Sequence, residues 1–306
     1  MKTSSIIKKI IHKRALRRYA VNNNMYYIGN GDSLKAVKNI TLFFANPEYM
    51  HLGDHLFFEP LCRFLNIKGF NIKIIPTRAM EFYFTPIGNY DDLNSADLVI
   101  TRTELYGDVS KLKTNILLID TAYSGITGHL CQDIVNKVAS LLFLDSRDFY
   151  AKPSALDIGS DGLQIGNGQY MIFNNYVDSG GYRLTSKHYD KLARYCQMIS
   201  QKLHLEVIHT GSATDKHRDS WRYDFVHMDI RGKTTPADMF YLAGHHNVVC
   251  NVSFDNFLMH LFFIYGKKSY VLFRGRFFNK SKDFIIKYVN PPFKPSCNIN
   301  DLIEYI

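Results

Sequence analysis

The sequence predicts an α/β chain of two Rossmann-like domains with mostly parallel sheets. Three observations point there. The 306 residues exceed one ordinary domain and suit two. Apolar runs of strand length alternate with stretches of helical spacing, as in parallel sheets joined by helices. Between residues 145 and 168 the alternation lapses, and Pro153, Gly159, Gly162, Gly166 and Gly168 punctuate a connector.

The elements follow in order. NITLFFA (39–45) is a strand, and a loop with Pro47 and Gly53 leads to a helix from about 54 to 67. FNIKIIP (70–76), DLVIT (97–101) and NILLID (115–120) read as strands, and HLCQDIVNKVASLLFL (129–144) has helical spacing. Past the connector, YMIFN (170–174) is a strand, 185–203 a helix, and LEVIHTG (205–211) a strand ending in a turn. TPADMFYLAG (235–244) is a short helix with Pro236 near its first turn, where a missing N–H is harmless. NVVCNV (247–252) is a strand, Phe254 to Tyr265 a helix, and KSYVLF (268–273) a strand. The expected division is a basic segment over 1–24, one domain over 25–150 and a second over 165–306. Ligands of such sheets bind outside the carboxyl ends of the strands, so a central cleft faced by both domains is the expected site.

Composition narrows the function classes. Apolar residues make up 46% of the chain, enough for a sizeable core and against global disorder. The longest apolar run, Phe257 to Tyr265, is too short to span a membrane and contains His260. The start has no long apolar segment with a cleavage site, so a cytoplasmic location is expected. Five scattered cysteines without a CxxC suggest neither a zinc site nor a disulfide framework. The net charge of +9 is uneven: Lys2, Lys8, Lys9, Lys13, Arg14, Arg17 and Arg18 crowd residues 1–18 without an acid. Taking those seven from the 37 basic residues leaves 30 against 28 acids. Ile6, Ile7, Ile10 and Ile11 form a helical stripe beside the charges. The segment reads either as a solvated basic tail or as a helix on an anionic membrane surface. Nucleic acid is not an expected partner, because the basic residues do not continue into an aromatic-interleaved groove.

The candidate chemistry lies at strand ends. In HLGDHLFFEPLCRFL (51–65), Asp54 stands where a strand–loop–helix unit starts its helix. It reads either as an N-cap, worth about 1 kcal/mol, or as a general base. Asp255 and His260 lie five apart around another helix start, where backbone N–H groups favour anions. Thr210-Gly211-Ser212 follows a strand, and Gly232-Lys233-Thr234-Thr235 puts a cation and hydroxyls just before a helix, suited to phosphate. Arg183 and Lys187 follow the first strand of the second domain; they read as surface charges or as groups facing the cleft. GxGxxG, GxxxxGK, GxSxG, HExxH and an acidic DxD pair are all absent, so no bound cofactor and no metal is expected. His245-His246 lacks a third ligand and reads as a turn.

Taken in order, these stretches resemble the heptosyltransferase-like glycosyltransferases of family 9. LGDHLFFEPLCRFL matches that family's opening pattern at Leu52, Gly53, Asp54, Pro60, Leu61 and Leu65. Thr210-Gly211-Ser212, Gly232-Lys233-Thr234-Thr235, Asp255 with His260, and SYVLFRG follow in the family's order, over about residues 38–280. Asn256-Phe257 departs from the family's Thr-Gly, and NYVDSGGYR departs from its usual loop.

The resemblance implies the GT-B fold, with an N-terminal acceptor domain and a C-terminal nucleotide-sugar domain. It implies metal-independent, inverting glycosyl transfer in cell-surface polysaccharide or lipopolysaccharide assembly. Asp54 would be the base, and Gly53 and His55 would lie against the acceptor. Arg183 or Lys187, with Thr210, Gly211, Ser212, Lys233, Thr234, Asp255, Asn256 and His260, would hold the donor. The partners implied are a nucleotide-sugar, a lipid-linked or surface glycan and, through residues 1–18, the cytoplasmic face of an inner membrane. Two other functions remain open at this point: polysaccharide pyruvyl transfer, and a catalytically silent sugar-nucleotide or membrane-binding partner.

Overall fold

A computed structural model describes residues 16–22, 24–29, 31–121, 130–159, 162–176, 184–213, 222–273 and 284–286. The chain divides into two compact units, Met1–Pro153 and Ser154–Ile306. Each holds a six-stranded sheet.

In the first unit the strand order is β1 (Ala20–Asn22), β2 (Met25–Ile28), β6 (Asn115–Ile119), β5 (Leu98–Arg102), β3 (Asn39–Phe43), β4 (Asn71–Ile75). β6, β5, β3 and β4 are parallel; β2 runs antiparallel to β6 and β1 antiparallel to β2. The parallel strands are runs of apolar residues because both faces are covered: Leu98, Val99 and Ile100 are wholly buried. Ala20–Asn22 already belongs to the sheet, which corrects the expected boundary at residue 25. β1 and β2 are too short and too close to the basic segment to stand out as strands. Most of that segment, 1–15, lies outside the described residues.

The helix Leu52–Ile67 starts two residues earlier than expected and has Pro60 in its interior. Proline lacks the N–H that would bond the carbonyl four residues back. Here that carbonyl belongs to Leu56, and the buried Cys131 thiol of the helix Leu130–Leu141 donates to it at 3.9 Å. One helix thus supplies the donor that the other lacks, where the two pack.

In the second unit the order is β12 (Phe284–Ile286), β11 (Lys268–Phe273), β10 (Val248–Phe254), β7 (Tyr170–Asn174), β8 (Glu206–His209), β9 (Met228–Asp229). All neighbours are parallel except β11 and β12. One face packs Met171, Phe173, Val207, Val252 and Leu272 against Leu192, Cys196 and Ile199 of the helix Ser186–Leu203. The helix expected from Phe254 runs instead over Phe257–Ile264, because β10 extends through Phe254.

Both sheets are doubly wound, so each has one place where successive crossovers leave in opposite directions. It lies between β3 and β5 in the first sheet and between β7 and β10 in the second. At such a switch point the loops part and leave room for a ligand. No described helix is long and apolar enough to cross a membrane.

Replacing Cys131 by Ala should cost about 1–3 kcal/mol, through an orphaned buried carbonyl. Urea denaturation of the variant reads this; an unchanged midpoint would mean the thiol contact contributes nothing.

Candidate functional site

The first switch point is built on Asp54. It is the third residue of its helix, not the cap, and Gly53 before it is helical rather than a turn residue. His51 is the N-cap, and its N–H donates to Asp54 Oδ2 at 3.0 Å. The same Oδ2 accepts from Arg102 Nη1 at 2.5 Å. Among the described residues no donor engages Oδ1. Both side chains are mostly buried, with 14% of Asp54 and 11% of Arg102 exposed.

Arg102 is the last residue of β5, across the switch point from Asp54. Its Nη1 also donates to the Tyr49 carbonyl at 3.1 Å, and its Nη2 to Glu104 Oε1 at 3.2 Å. Burial opposes its charge, but Asp54, Glu104 and Asp120 together outweigh burial and hold its pKa above the usual arginine value. A guanidinium with carboxylates on two arms is fixed in orientation. Sequence reasoning missed Arg102 and Glu104; the signal available was a charged run, TRTE, directly after an apolar strand.

His55 does not meet the expectation of an acceptor contact. It is fully buried, with its Nδ1 donating to the His51 carbonyl at 3.0 Å and its Nε2 accepting from the Thr77 N–H at 3.2 Å. These bonds assign the neutral Nδ1–H tautomer. Burial pushes its pKa down to about 4. The residue clamps the helix to the loop after β4.

The second switch point is clasped by two neutral amides. Asn174, the last residue of β7, donates through Nδ2 to the Thr210 carbonyl at 3.0 Å and accepts at Oδ1 from Asn256 Nδ2 at 3.0 Å. Asn256 Nδ2 also reaches the Tyr176 carbonyl at 2.9 Å, and its Oδ1 caps the 257–264 helix at the Leu258 N–H, 3.0 Å away. Asn256, not Asp255, is therefore the cap. Asp255 is half-buried beside it. Thr210 is fully buried and ties β8 to β7, its N–H donating to the Phe173 carbonyl at 2.9 Å.

Gly211, Ser212, Lys233 and Thr234 come together in a pair of loops. The Gly232 N–H donates to the Gly211 carbonyl at 2.8 Å, and Lys233 and Ser212 are exposed. The left-handed backbone that closes the pair is at Gly232, φ 72°, and a Cβ there would stand 3.0 Å from Ala213 Cα. Thr235 then caps the helix Pro236–Gly244 reciprocally with Asp238. Lys187 is exposed in the first turn of the 186–203 helix. His260 is buried, 7% exposed, one turn inside its helix. Arg183 lies outside the described residues. Among the described residues no group of three or more His, Cys, Asp or Glu could hold a metal ion.

No protein-family model matches the sequence, and no curated protein matches it. Solved structures do. A family 9 glycosyl transferase from Veillonella parvula aligns over 88% of this chain and 91% of its own, with TM-score 0.55 and 14% identity. This chain has that protein's fold, GT-B. The E. coli heptosyltransferase WaaC with ADP aligns over 76% of this chain and 86% of its own, with TM-score 0.48 and 12% identity. The iron-containing dodecameric glycosyltransferase TibC of enterotoxigenic E. coli aligns over 77% of this chain and 57% of its own, with TM-score 0.48 and 12% identity.

Two outcomes follow from these contacts. His55 and His209 are buried and neutral; burial, then Arg231, pushes His209 down to about 3. Unfolded, each takes a proton near pH 6.5, so stability is whole above that and is lost as the pH falls towards the folded values. Each should cost about 2 kcal/mol at pH 5 relative to pH 7, and His55→Gln should lessen the total loss by its share. Denaturation at the two pH values measures this, and an unchanged loss in the variant would count against it. Gly232→Ala should lose about 1–2 kcal/mol, since it forces a side chain into a left-handed backbone against Ala213. An unshifted melting temperature would show that the loop pair tolerates it.

Proposed function

We propose that this protein is an inverting, metal-independent glycosyltransferase that moves a sugar from a nucleotide-sugar to a lipid-linked or surface glycan hydroxyl. One observation carries the reading. At the first sheet's switch point Asp54 has Oδ2 anchored by Arg102 and the His51 N–H, while among the described residues no donor engages Oδ1. The fold shared with a family 9 glycosyl transferase supports it.

In this reading Oδ1 takes the proton of the acceptor hydroxyl as its oxygen attacks the anomeric carbon. The bond from that carbon to the phosphate oxygen breaks on the opposite face. The leaving nucleoside diphosphate carries away the electron pair. General-base help of this kind is worth roughly 10²–10⁴-fold. The second unit takes the donor. Lys233 and Ser212 of the exposed loop pair, Thr234, Lys187, Arg183 and the capped helix end at Asn256 are the groups suited to the diphosphate. Thr210 and His260, being buried, act by shaping this site. Asp255 repels phosphate and suits donor hydroxyls. Residues 1–18 hold the enzyme at an anionic cytoplasmic membrane face, supported by their charge and isoleucine pattern.

The capping box and ion pair favour a second reading, in which Asp54 is structural and the protein binds a sugar nucleotide without turning it over.

Nucleotides and nucleotide-sugars, with and without chelator, should separate the two. Donor at 100 times its Kd should raise stability by about 2.7 kcal/mol, and the shift should survive chelation. Asp54→Asn should bind the donor equally but lose transfer by roughly 10²–10⁴-fold. Binding without turnover by either protein would favour the silent reading. No shift with any nucleotide would end both.

A further inference from the structure

We propose that Arg102 is the positioning residue for the base, an assignment that rests on the reading of Asp54 above. The ion pair by itself is compatible with a merely structural role; the division of labour between the two carboxylate oxygens is not explained by one. A cap needs only the bond from the His51 N–H to Oδ2. Arg102 Nη1 adds a second, shorter bond to the same oxygen, and among the described residues no donor engages Oδ1. The carboxylate therefore cannot rotate freely about its last torsion, and Oδ1 keeps one direction.

The guanidinium is itself bonded to two further segments and feels the charge of a third. Nη1 is tied to the Tyr49 carbonyl of the loop before the helix, Nη2 to Glu104 beyond β5, and Asp120 beyond β6 adds its charge. These segments leave the carboxyl ends of β3, β5 and β6, adjacent strands of the first sheet. Arg102 thus refers the position of Asp54 to the sheet rather than to its own helix turn. A lysine keeps the charge but has no planar fork with which to engage Asp54 and Glu104 together.

In the transfer step, Asp54 Oδ1 receives the acceptor's proton, the acceptor oxygen bonds to the anomeric carbon, and the phosphate leaves with the bonding pair. Arg102 takes no proton and forms no bond to substrate. Its effect is to keep Oδ1 within reach of the hydroxyl, and a misplacement of about 1 Å at such a site can cost about 100-fold in rate.

The test is a double-mutant cycle on the full chain, read as nucleoside diphosphate release from a nucleotide-sugar panel with a lipid extract as acceptor. Arg102→Gln should lower kcat about 100-fold and Arg102→Lys by less, with KM for the nucleotide-sugar changed less than about threefold. In the Asp54→Asn background Arg102→Lys should change kcat by less than about threefold, because there is no base left to position. Melting curves check folding; if Arg102→Gln fails to fold, the lysine variant carries the cycle. Equal losses in both backgrounds would mean a structural role and overturn the proposal. So would a wild-type kcat in the lysine variant when Asp54→Asn is inactive, leaving the base assignment standing. Full turnover by Asp54→Asn, or none by the wild type, would instead bring down the functional reading and the inference with it.

Discussion

The buried charge of Arg102 is the constraint around which the first unit is arranged. A guanidinium taken from water into a site this closed costs several kcal/mol unless it is paired. Asp54, Glu104 and Asp120 supply the opposing charge from the loops beyond β3, β5 and β6. The turn holding Tyr49 and Asp54 and the segment holding Glu104 are consequently tied to one another where a doubly wound sheet would otherwise let them part. The first turn of the 52–67 helix is placed by that pairing as much as by its own cap. His55, one residue on, fastens the same turn to the Thr77 loop beyond β4.

In the second unit the bonds that close the switch point are made by neutral groups. Its switch point is closed by two asparagines, whose amides can each donate and accept. Asn174 joins β7 to the Thr210 turn, and Asn256 joins the end of β10 to β7 and caps the next helix. The clasp itself is neutral, and the charges near it are those of Asp255, beside Asn256, and of Lys233 in the loop pair.

Much of this was legible in the sequence, for definable reasons. The parallel strands are apolar runs bounded by turn residues, and YMIFN and KSYVLF were read to the residue. β1, β2, β9 and β12 escaped notice because they are two to four residues long and lie at or near sheet edges, with too few positions to show a period. Asp54 stood out because a carboxylate after a strand is a recognisable pattern. Arg102 did not, because its importance comes from a partner 48 residues away in sequence. The same limit applies to Asn174, which closes a strand unremarkably until Asn256 is folded against it. His55 was misjudged for a different reason: spacing from a helix start does not say which face of the helix a ring will occupy, and its ring went inward.

Phe257 shows how a local departure from a familiar pattern can be absorbed. A bulky residue directly after the helix cap would crowd any ligand there if its ring stood over the helix end. The ring instead lies beside the fully buried Phe240 of the 236–244 helix, centroids 6.1 Å apart. Burying aromatic surface between two helices is favourable, so packing draws the ring sideways. The cap remains a small polar residue, Asn256, in an extended conformation with φ −149°, which needs no glycine. What the chain gives up by lacking a glycine is closeness of backbone to ligand; what it keeps is the capped helix end and the loop pair around Gly232. On the proposed reading, the width left beside Phe257 sets which donors fit, while the groups suited to an anion, Lys233 and the Asn256 cap, are ones that the substitution does not touch.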